Sequence, residues 1–312
     1  MPTLLTCIGV EHDLEMLPHF LRHYLDLGVA PERIAPILQT TDPDSANLTR
    51  AREILAAHDV APAQIWTEPY TSEAMWTQRR ALQTRLCGPG DWVISADLDE
   101  FHHYPEPLPA FLARCAEMGV DCVQGVFIDR LAPGGALAPV RATPALAEQF
   151  PVRAEVALSI AGKGAWHDRI GTVKMMAMRA DILPGRGGHR TWKGQDARHL
   201  YNAPLNDFRQ IERPAYRFAV PTRVDHFHWT DSLADRLRTR IATPGVSKAG
   251  AEYGRKQLDH MDRHGGIALD RVALMDDDAG AEDWTVTLDR MRRTGRRRAA
   301  LSRVTTLLGA GR

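Results

Sequence analysis

Asp91-Trp92-Val93-Ile94-Ser95-Ala96-Asp97-Leu98-Asp99-Glu100-Phe101 is the stretch on which the fold turns. Trp92 to Ala96 is a short, mostly apolar run with Gly88-Pro89-Gly90 just upstream, which predicts a strand buried on both faces. Three carboxylates follow it directly. In an open α/β sheet, ligands sit beyond the carboxyl ends of the strands, so Asp97, Asp99 and Glu100 fall where binding and chemistry are expected. Residues two apart on an extended chain point the same way, and Asp97 and Asp99 are therefore expected to converge on one hard divalent cation. A solvated acidic turn has the same spacing; the placement directly after a buried strand favours the site.

Working outward, the same grammar repeats. Leu4 to Val10 reads as the first strand. From Glu15 to Leu27, Met16, Leu17, Phe20, Leu21, Tyr24 and Leu25 recur at helical spacing, with Gly28 at the cap. A strand at Ile34 to Leu38 leads into the turn-rich Gln39 to Ser45, then come a helix at Leu48 to His58, a strand at Gln64 to Trp66 and a helix at Ser72 to Leu86. Alternating strands and helices predict an α/β fold with a mainly parallel sheet flanked by helices. Downstream, Asp121 to Ile128 and Thr172 to Arg179 read as strands. Pro133 to Pro151 reads as an irregular excursion and Gly185 to Gly194 as a mobile loop. The predicted organisation is a main domain over 1–232 and a helical C-terminal extension over 233–312 that carries a basic tail.

Composition narrows the function classes. Across 312 residues Lys plus Arg and Asp plus Glu are 39 each, so no overall field draws the chain to nucleic acid. Cys7, Cys87, Cys115 and Cys122 match no zinc or redox spacing and read as buried thiols of a reducing compartment. No apolar run has the length of a signal peptide core or a membrane span. The expected location is the cytoplasm of a bacterium, with the inner face of the membrane reachable only from its surface.

Thr6-Cys7-Ile8-Gly9-Val10-Glu11, with Leu17-Pro18, Phe20-Leu21, His23-Tyr24 and Gly28, resembles the opening of family 2-like glycosyltransferases. Asp91 to Phe101 resembles the central signature of the same family, an apolar strand followed by Asp-x-Asp-Glu-Phe. The resemblance covers residues 6–101 of 312. It implies a GT-A-like (Rossmann-like) fold, a nucleotide-sugar donor of the UDP-sugar type, and Mn2+ or Mg2+ held by Asp97 and Asp99. One departure is visible: the family often carries Asn before the glutamate that matches Glu11, and this chain has Val10, which bears on base recognition.

Other residues take roles beside this frame. Glu11 follows the first strand, where a carboxylate can accept from a ribose or uridine, or simply open a helix. Asp42, Asp44 and Ser45 follow the second strand and can meet ribose hydroxyls, although these residue types also form turns and caps. Gln78, Arg79 and Arg80 lie on the helix before the acidic strand, where an arginine, Arg79 first, can give paired donors to phosphate; a solvated helix face is the other reading, favoured for Arg80. Asp129 ends a later strand, before Arg130, and is the candidate general base; Asp99 shares the catalytic assignment. In Val224-Asp225-His226-Phe227-His228-Trp229, His226 and His228 share one face of an extended chain and are candidate nitrogen ligands to the same metal, as the resemblance implies for a C-terminal histidine. His189, in Gly185-Arg186-Gly187-Gly188-His189-Arg190, is a candidate lid contact; that loop lacks the spacing and lysine of a phosphate-binding P-loop. Trp166, Trp192 and Trp229 offer flat faces for a sugar or packing for the core.

The expected activity is a hexosyltransferase-like glycosyl transfer from a nucleotide sugar to an acceptor hydroxyl, on a glycan, a lipid-linked or a small-molecule acceptor, with inversion implied by the resemblance. Two other readings fit an acidic pair at a strand end: a nucleotidyltransferase or phosphohydrolase, and a non-catalytic nucleotide- or carbohydrate-binding module. The arginine-rich run Arg292 to Arg298, with Leu301, Val304, Leu307 and Leu308 beyond it, has the pattern of a basic amphipathic helix, a candidate for peripheral contact with anionic lipid; a solvated or partner-docking helix has the same pattern.

Overall fold

A computed structural model of the chain describes residues 1–12, 14–161, 173–200 and 221–275, with scattered positions between 283 and 297. Strands β1 (Thr3–Gly9), β2 (Ile34–Gln39), β3 (Gln64–Trp66) and β4 (Trp92–Ser95) form a parallel block in the order β3-β2-β1-β4. The helices between them are α1 (Leu17–Asp26), α2 (Ala46–Ala56) and α3 (Ser72–Leu86). Each start has a local cause. Pro18 occupies the first turn of α1, Ser45 Oγ accepts from the Asn47 N–H of α2, and Thr71 Oγ1 accepts from the Ala74 N–H of α3. The predicted elements and the observed ones agree closely through β4, to within about two residues at each end.

Alternation along β1 sorts its side chains onto two faces. Leu4 and Ile8 pack with Phe20, Leu21 and Tyr24 of α1 in the largest core cluster, whereas Leu5 and Cys7 join Met75, Trp76 and Leu82 of α3 on the opposite face. Helices cover both faces, so the fold is α/β with a central sheet. Of the four cysteines, all free thiols, Cys7, Cys115 and Cys122 are buried and Cys87 is half-buried.

The sheet continues past β4 with other strand directions. After β5 (Glu100–His103) and α4 (Leu108–Glu117) comes the long β6 (Cys122–Leu131), then α5 (Leu146–Gln149), β7 (Val152–Glu155), α6 (Val156–Ala161) and β8 (Val173–Arg179). β8 lies antiparallel between β4 and β6, and β7 adds antiparallel to β6. β9 (Arg223–His226) runs parallel to β6 and antiparallel to β5, and so brings β5 and β6 to one corner.

Residues beyond 232 are built onto this frame. Among them, α7 (Leu233–Ala242), α8 (Lys248–His264) and β10 (Ala273–Leu274) are described. β10 extends the sheet beside β7, and Leu233, Leu237 and Met261 share a core cluster with Leu131, Val156 and Trp229. The described part of the expected extension is therefore packed against the sheet. Trp166 and nearly all of the basic tail lie outside the described residues. No described helix is long and apolar enough to cross a membrane.

The stretch from Gly185 to Gly194, expected as a mobile loop, is pinned at both ends and in the middle. Gly185 N–H donates to Arg190 O at 2.7 Å, Pro184 bridges Thr191, and a Cβ on Gly188 would lie 2.7 Å from Cε of Lys174.

The join between the sheet and α8 depends on Gly135. Its φ is +76°, its carbonyl accepts from the Ile267 N–H at 2.8 Å, and an added Cβ would lie 1.9 Å from Ile267 O. Gly135→Ala should lower stability by about 2 kcal/mol or more, since a left-handed backbone alone costs about 1–2 kcal/mol. Gly134→Ala, at φ +70° with open space around it, should show the backbone cost alone. Denaturant midpoints of the two variants measure the difference, and equal midpoints would remove Gly135 as the joint.

Candidate functional site

The turn from β4 into β5 is closed by its own last residue. Glu100 N–H donates to Asp97 O, and Glu100 Oε2 accepts from the Asp97 N–H, each at 3.0 Å. This turn decides where the two aspartates go. Side chains two apart share a direction only on extended chain, and here the chain bends, so Asp97 and Asp99 take separate partners.

Asp97 faces two buried cations. Arg79, fully buried on α3 under the ring of Trp76, donates from Nη2 to Asp97 Oδ1 at 2.7 Å and from Nη1 to Ser95 Oγ at 3.2 Å. Lys174 Nζ, brought in by β8, lies 3.5 Å from Asp97 Oδ2 and 2.5 Å from Glu100 Oε1. Burial opposes ionisation of Asp97, but Lys174 and Arg79 outweigh it and hold the carboxyl at about 2. Burial pushes Glu100 up to about 7 against the pull of Lys174. Burial also disfavours the charge on Lys174, and Glu100 and Asp97 more than restore it. Arg79, expected as a phosphate contact, thus spends its terminal nitrogens inside the protein. The side chain of Asp97 keeps 34% exposure while those of Arg79 and Lys174 have 0% and 3%, so Asp97 is the open member of the group.

Asp99 turns the other way. Its Oδ2 lies 3.0 Å from His228 Nδ1 and 3.5 Å from His226 Nε2, and the two imidazoles stack at 4.9 Å and 14°. Ligand atoms of Asp99, His226 and His228 all fall within 4.8 Å of one another, the single such trio among the described residues. The shared face expected for His226 and His228 is therefore present, with Asp99 as their carboxylate and Asp97 apart from them. Burial would depress His226, but Asp99 and Asp129 lift it to about 10; burial dominates at His228 and takes it down to about 4.

Asp129, expected as the general base, sits behind this trio. Oδ1 accepts from His226 Nδ1 at 2.8 Å and Trp229 Nε1 at 2.9 Å, and Oδ2 accepts from the Val156 N–H at 2.8 Å. A carboxylate that is 2% exposed with both oxygens engaged is placed to orient His226 rather than to take a proton from an acceptor. Trp229 is 1% exposed and bound to Asp129, so it serves packing and orientation and offers no open face to a sugar.

At the carboxyl ends of β1 and β2, Glu11 accepts from Thr40 Oγ1 (2.8 Å), Ser45 Oγ (3.0 Å) and Asn47 Nδ2 (2.8 Å). The Asn47 bond leads in holding Glu11 below the usual carboxylate range. Asp42 and Asp44 are exposed, and Asp42 Oδ1 accepts from the Asp44 N–H at 3.0 Å, a turn-forming bond. His189 gives its Nδ1 to Val173 O at 2.7 Å, and burial leads in taking it down to about 4, so it anchors its loop as a neutral ring. Arg80, expected on a solvated face, is buried and donates to Pro184 O at 3.3 Å, whereas Trp192 is 37% exposed with Arg80 and Lys193 at 4.9 and 4.3 Å from its ring centre.

Lys174, Thr40 and Asn47 hold carboxylates of the candidate site, and sequence reasoning misses them. Lys174 alone left a signal, a charge inside the apolar run Val173-Lys174-Met175-Met176.

No protein-family model matches the chain, and no curated protein matches it. Solved structures do. The chain is similar to S. aureus TarS at 12% identity and a TM-score of 0.36, over 86% of this chain and 44% of TarS. It thus spans less than half of that protein's length. S. aureus TarS 1-349 in complex with UDP matches at 12% identity and a TM-score of 0.34, over 84% of this chain and 72% of that one. Apo UDP-glucose pyrophosphorylase matches at 10% identity and a TM-score of 0.28, over 84% of this chain and all of that one, 100%.

Lys174→Met leaves Glu100 buried and unpaired, and breaking a buried pair costs about 3–5 kcal/mol. The double variant Lys174→Met with Glu100→Gln should recover part of that loss. Urea denaturation at neutral pH measures both; a single variant as stable as the wild type would show that the pair does not hold β8 to β5.

Proposed function

We propose that the chain is a metal-dependent glycosyltransferase that uses a nucleotide sugar of the UDP type as donor. The observation that carries the reading is the Asp99, His226 and His228 trio, set beside the cation-held Asp97 at the carboxyl end of β4. The residues fit a divalent cation. Asp129 fixes the Nδ1 side of His226, so Nε2 faces Asp99, the arrangement that metal-ligating histidines use. Two imidazoles with one carboxylate suit Mn2+ better than Mg2+, which prefers oxygen ligands. Bound there, the cation supplies Lewis-acid stabilisation of the charge that grows on the diphosphate leaving group.

The chain's own residues divide the remaining work. Glu11, oriented by Thr40, Ser45 and Asn47, presents a fixed carboxylate beside the ends of β1 and β2, suited to ribose hydroxyls. Arg79 and Lys174 keep Asp97 ionised and aimed, so the turn that carries Asp99 stays rigid. The acceptor is a hydroxyl compound, and inversion by direct displacement is what the family resemblance implies.

Calorimetric titration should show UDP binding with Mn2+ and none in EDTA. Asp129→Asn should weaken Mn2+ by about ten- to a hundredfold, as removing a metal's supporting carboxylate does. His228→Ala should abolish the metal-dependent part. Absence of binding by every nucleoside diphosphate, with or without metal, would sink the reading; release of inorganic phosphate without sugar transfer would move it to a phosphohydrolase.

A further inference from the structure

A cleft of about 550 Å³ lies between α6 and the C-terminal half of α8, apart from the trio but connected to it. The connection is short. Val156, the first residue of α6, donates its N–H to Asp129, the carboxylate behind His226, and Ser159, one turn further along α6, lines the cleft.

The opposite wall is basic by construction. Lys256, His260 and Arg263 with His264 recur at helical spacing and so share one face of α8, and Arg271 reaches the same space from the turn that follows. Asp259 is the one carboxylate among the described lining residues. A bland reading exists: basic residues in a last helical turn complement the negative end of the helix. It accounts for Arg263 and His264; Lys256, two turns earlier, lies 3.6 Å from Glu252 Oε1, and Arg271, outside the helix, lies 3.6 Å from Asp270 Oδ2, exposed pairs of a kind that contribute little and leave both cations able to turn to a ligand. Local order favours binding too. Arg263 uses Nε on Asp259 O at 2.8 Å, which leaves its guanidinium edge open, and His260 Nε2 accepts from the Ala268 N–H at 3.2 Å, which fixes the tautomer with Nδ1 as donor. Burial, then His264, Arg263 and Arg271, press His260 below its ordinary value, and Asp270 offsets only part of that effect.

We infer that this cleft is a second ligand site, for a phosphate-class anion, held by Arg263, Arg271, Lys256 and the His260–His264 pair. Guanidinium edges and imidazole N–H groups match tetrahedral oxyanions, and a phosphate carried on a soluble compound or on a lipid headgroup offers the same chemistry. The site is independent of the nucleotide reading and does not need the metal.

The test uses the full chain in EDTA, which silences the metal-dependent site. Inorganic phosphate and pyrophosphate are titrated by calorimetry, and vesicles of phosphatidylcholine, with and without phosphatidic acid, are tested by co-sedimentation. The wild type is compared with Arg263→Gln/Arg271→Gln, with Asp99→Asn, and with Arg22→Gln/Arg52→Gln as a control that removes two exposed charges elsewhere. Saturable binding that falls by about tenfold or more in the cleft variant, and stays in the other two, is the expected result, since charge-assisted bonds of this kind are worth that much. Binding to phosphatidic acid vesicles as well would assign the phosphate to a lipid; binding to the free anions alone would assign it to a soluble compound. No saturable binding by any probe, or equal binding by the cleft variant, overturns the site. Circular dichroism of the exposed-residue variants confirms that each is folded.

Discussion

A lysine ammonium buried in the sheet is the constraint from which the site is built. Lys174 sits at 3% exposure, and a charge in that position is tolerated only with a partner of opposite sign at contact distance. Glu100 supplies it at 2.5 Å, and Asp97 the second contact at 3.5 Å. β8 is thereby tied to the first residue of β5 and to the turn before it. That turn is closed by the other oxygen of Glu100, so one carboxylate neutralises the lysine and sets the bend that separates Asp97 from Asp99. Gly188 has to be glycine for the same reason: the loop over Lys174 leaves no room for a side chain.

A second tie closes the far corner. β9 joins β5 and β6, and the same register places His226 opposite both Glu100 and Asp129. Asp129 then gathers His226 from β9, Trp229 just beyond it and the N-terminus of α6. The core that holds α7 and α8 includes Trp229 and Val156, so the C-terminal helices reach the trio through packing as well as through chain connection.

The sequence was legible where the physics is local. Strands and helices through β4 follow from apolar period, caps and glycines, and each carries its own signal. The chance that His226 and His228 act together follows from alternation, and Asp99 from its place after a strand. What was not legible depends on register between distant strands. Nothing near Asp129 in sequence indicates that Trp229 and Val156 will fill its oxygens, and a carboxylate at a strand end reads as a base until they do. Nothing around Asn47 in sequence points to Glu11, and the two meet only once β2 lies beside β1. Asp97 and Asp99 pair under the rule for extended chain, and the Glu100 turn breaks it.

The same turn explains why two neighbouring aspartates suit different tasks. Asp97 is answered by Arg79 and Lys174, permanent cations that are fully or almost fully buried; neither can leave without orphaning charge, so Asp97 has little to offer an added metal. Asp99 is answered by imidazoles, which exchange a proton for a metal ion with the ring still in place. His228 is neutral and has its Nδ1 aimed at Asp99, and His226 is fixed from behind. Under the proposed function a cation would therefore find its most replaceable company at Asp99, while Asp97 stays committed to the buried Arg79 and Lys174. One turn thus gives Asp97 fixed partners and Asp99 exchangeable ones, which is why two carboxylates two residues apart differ in what they can bind.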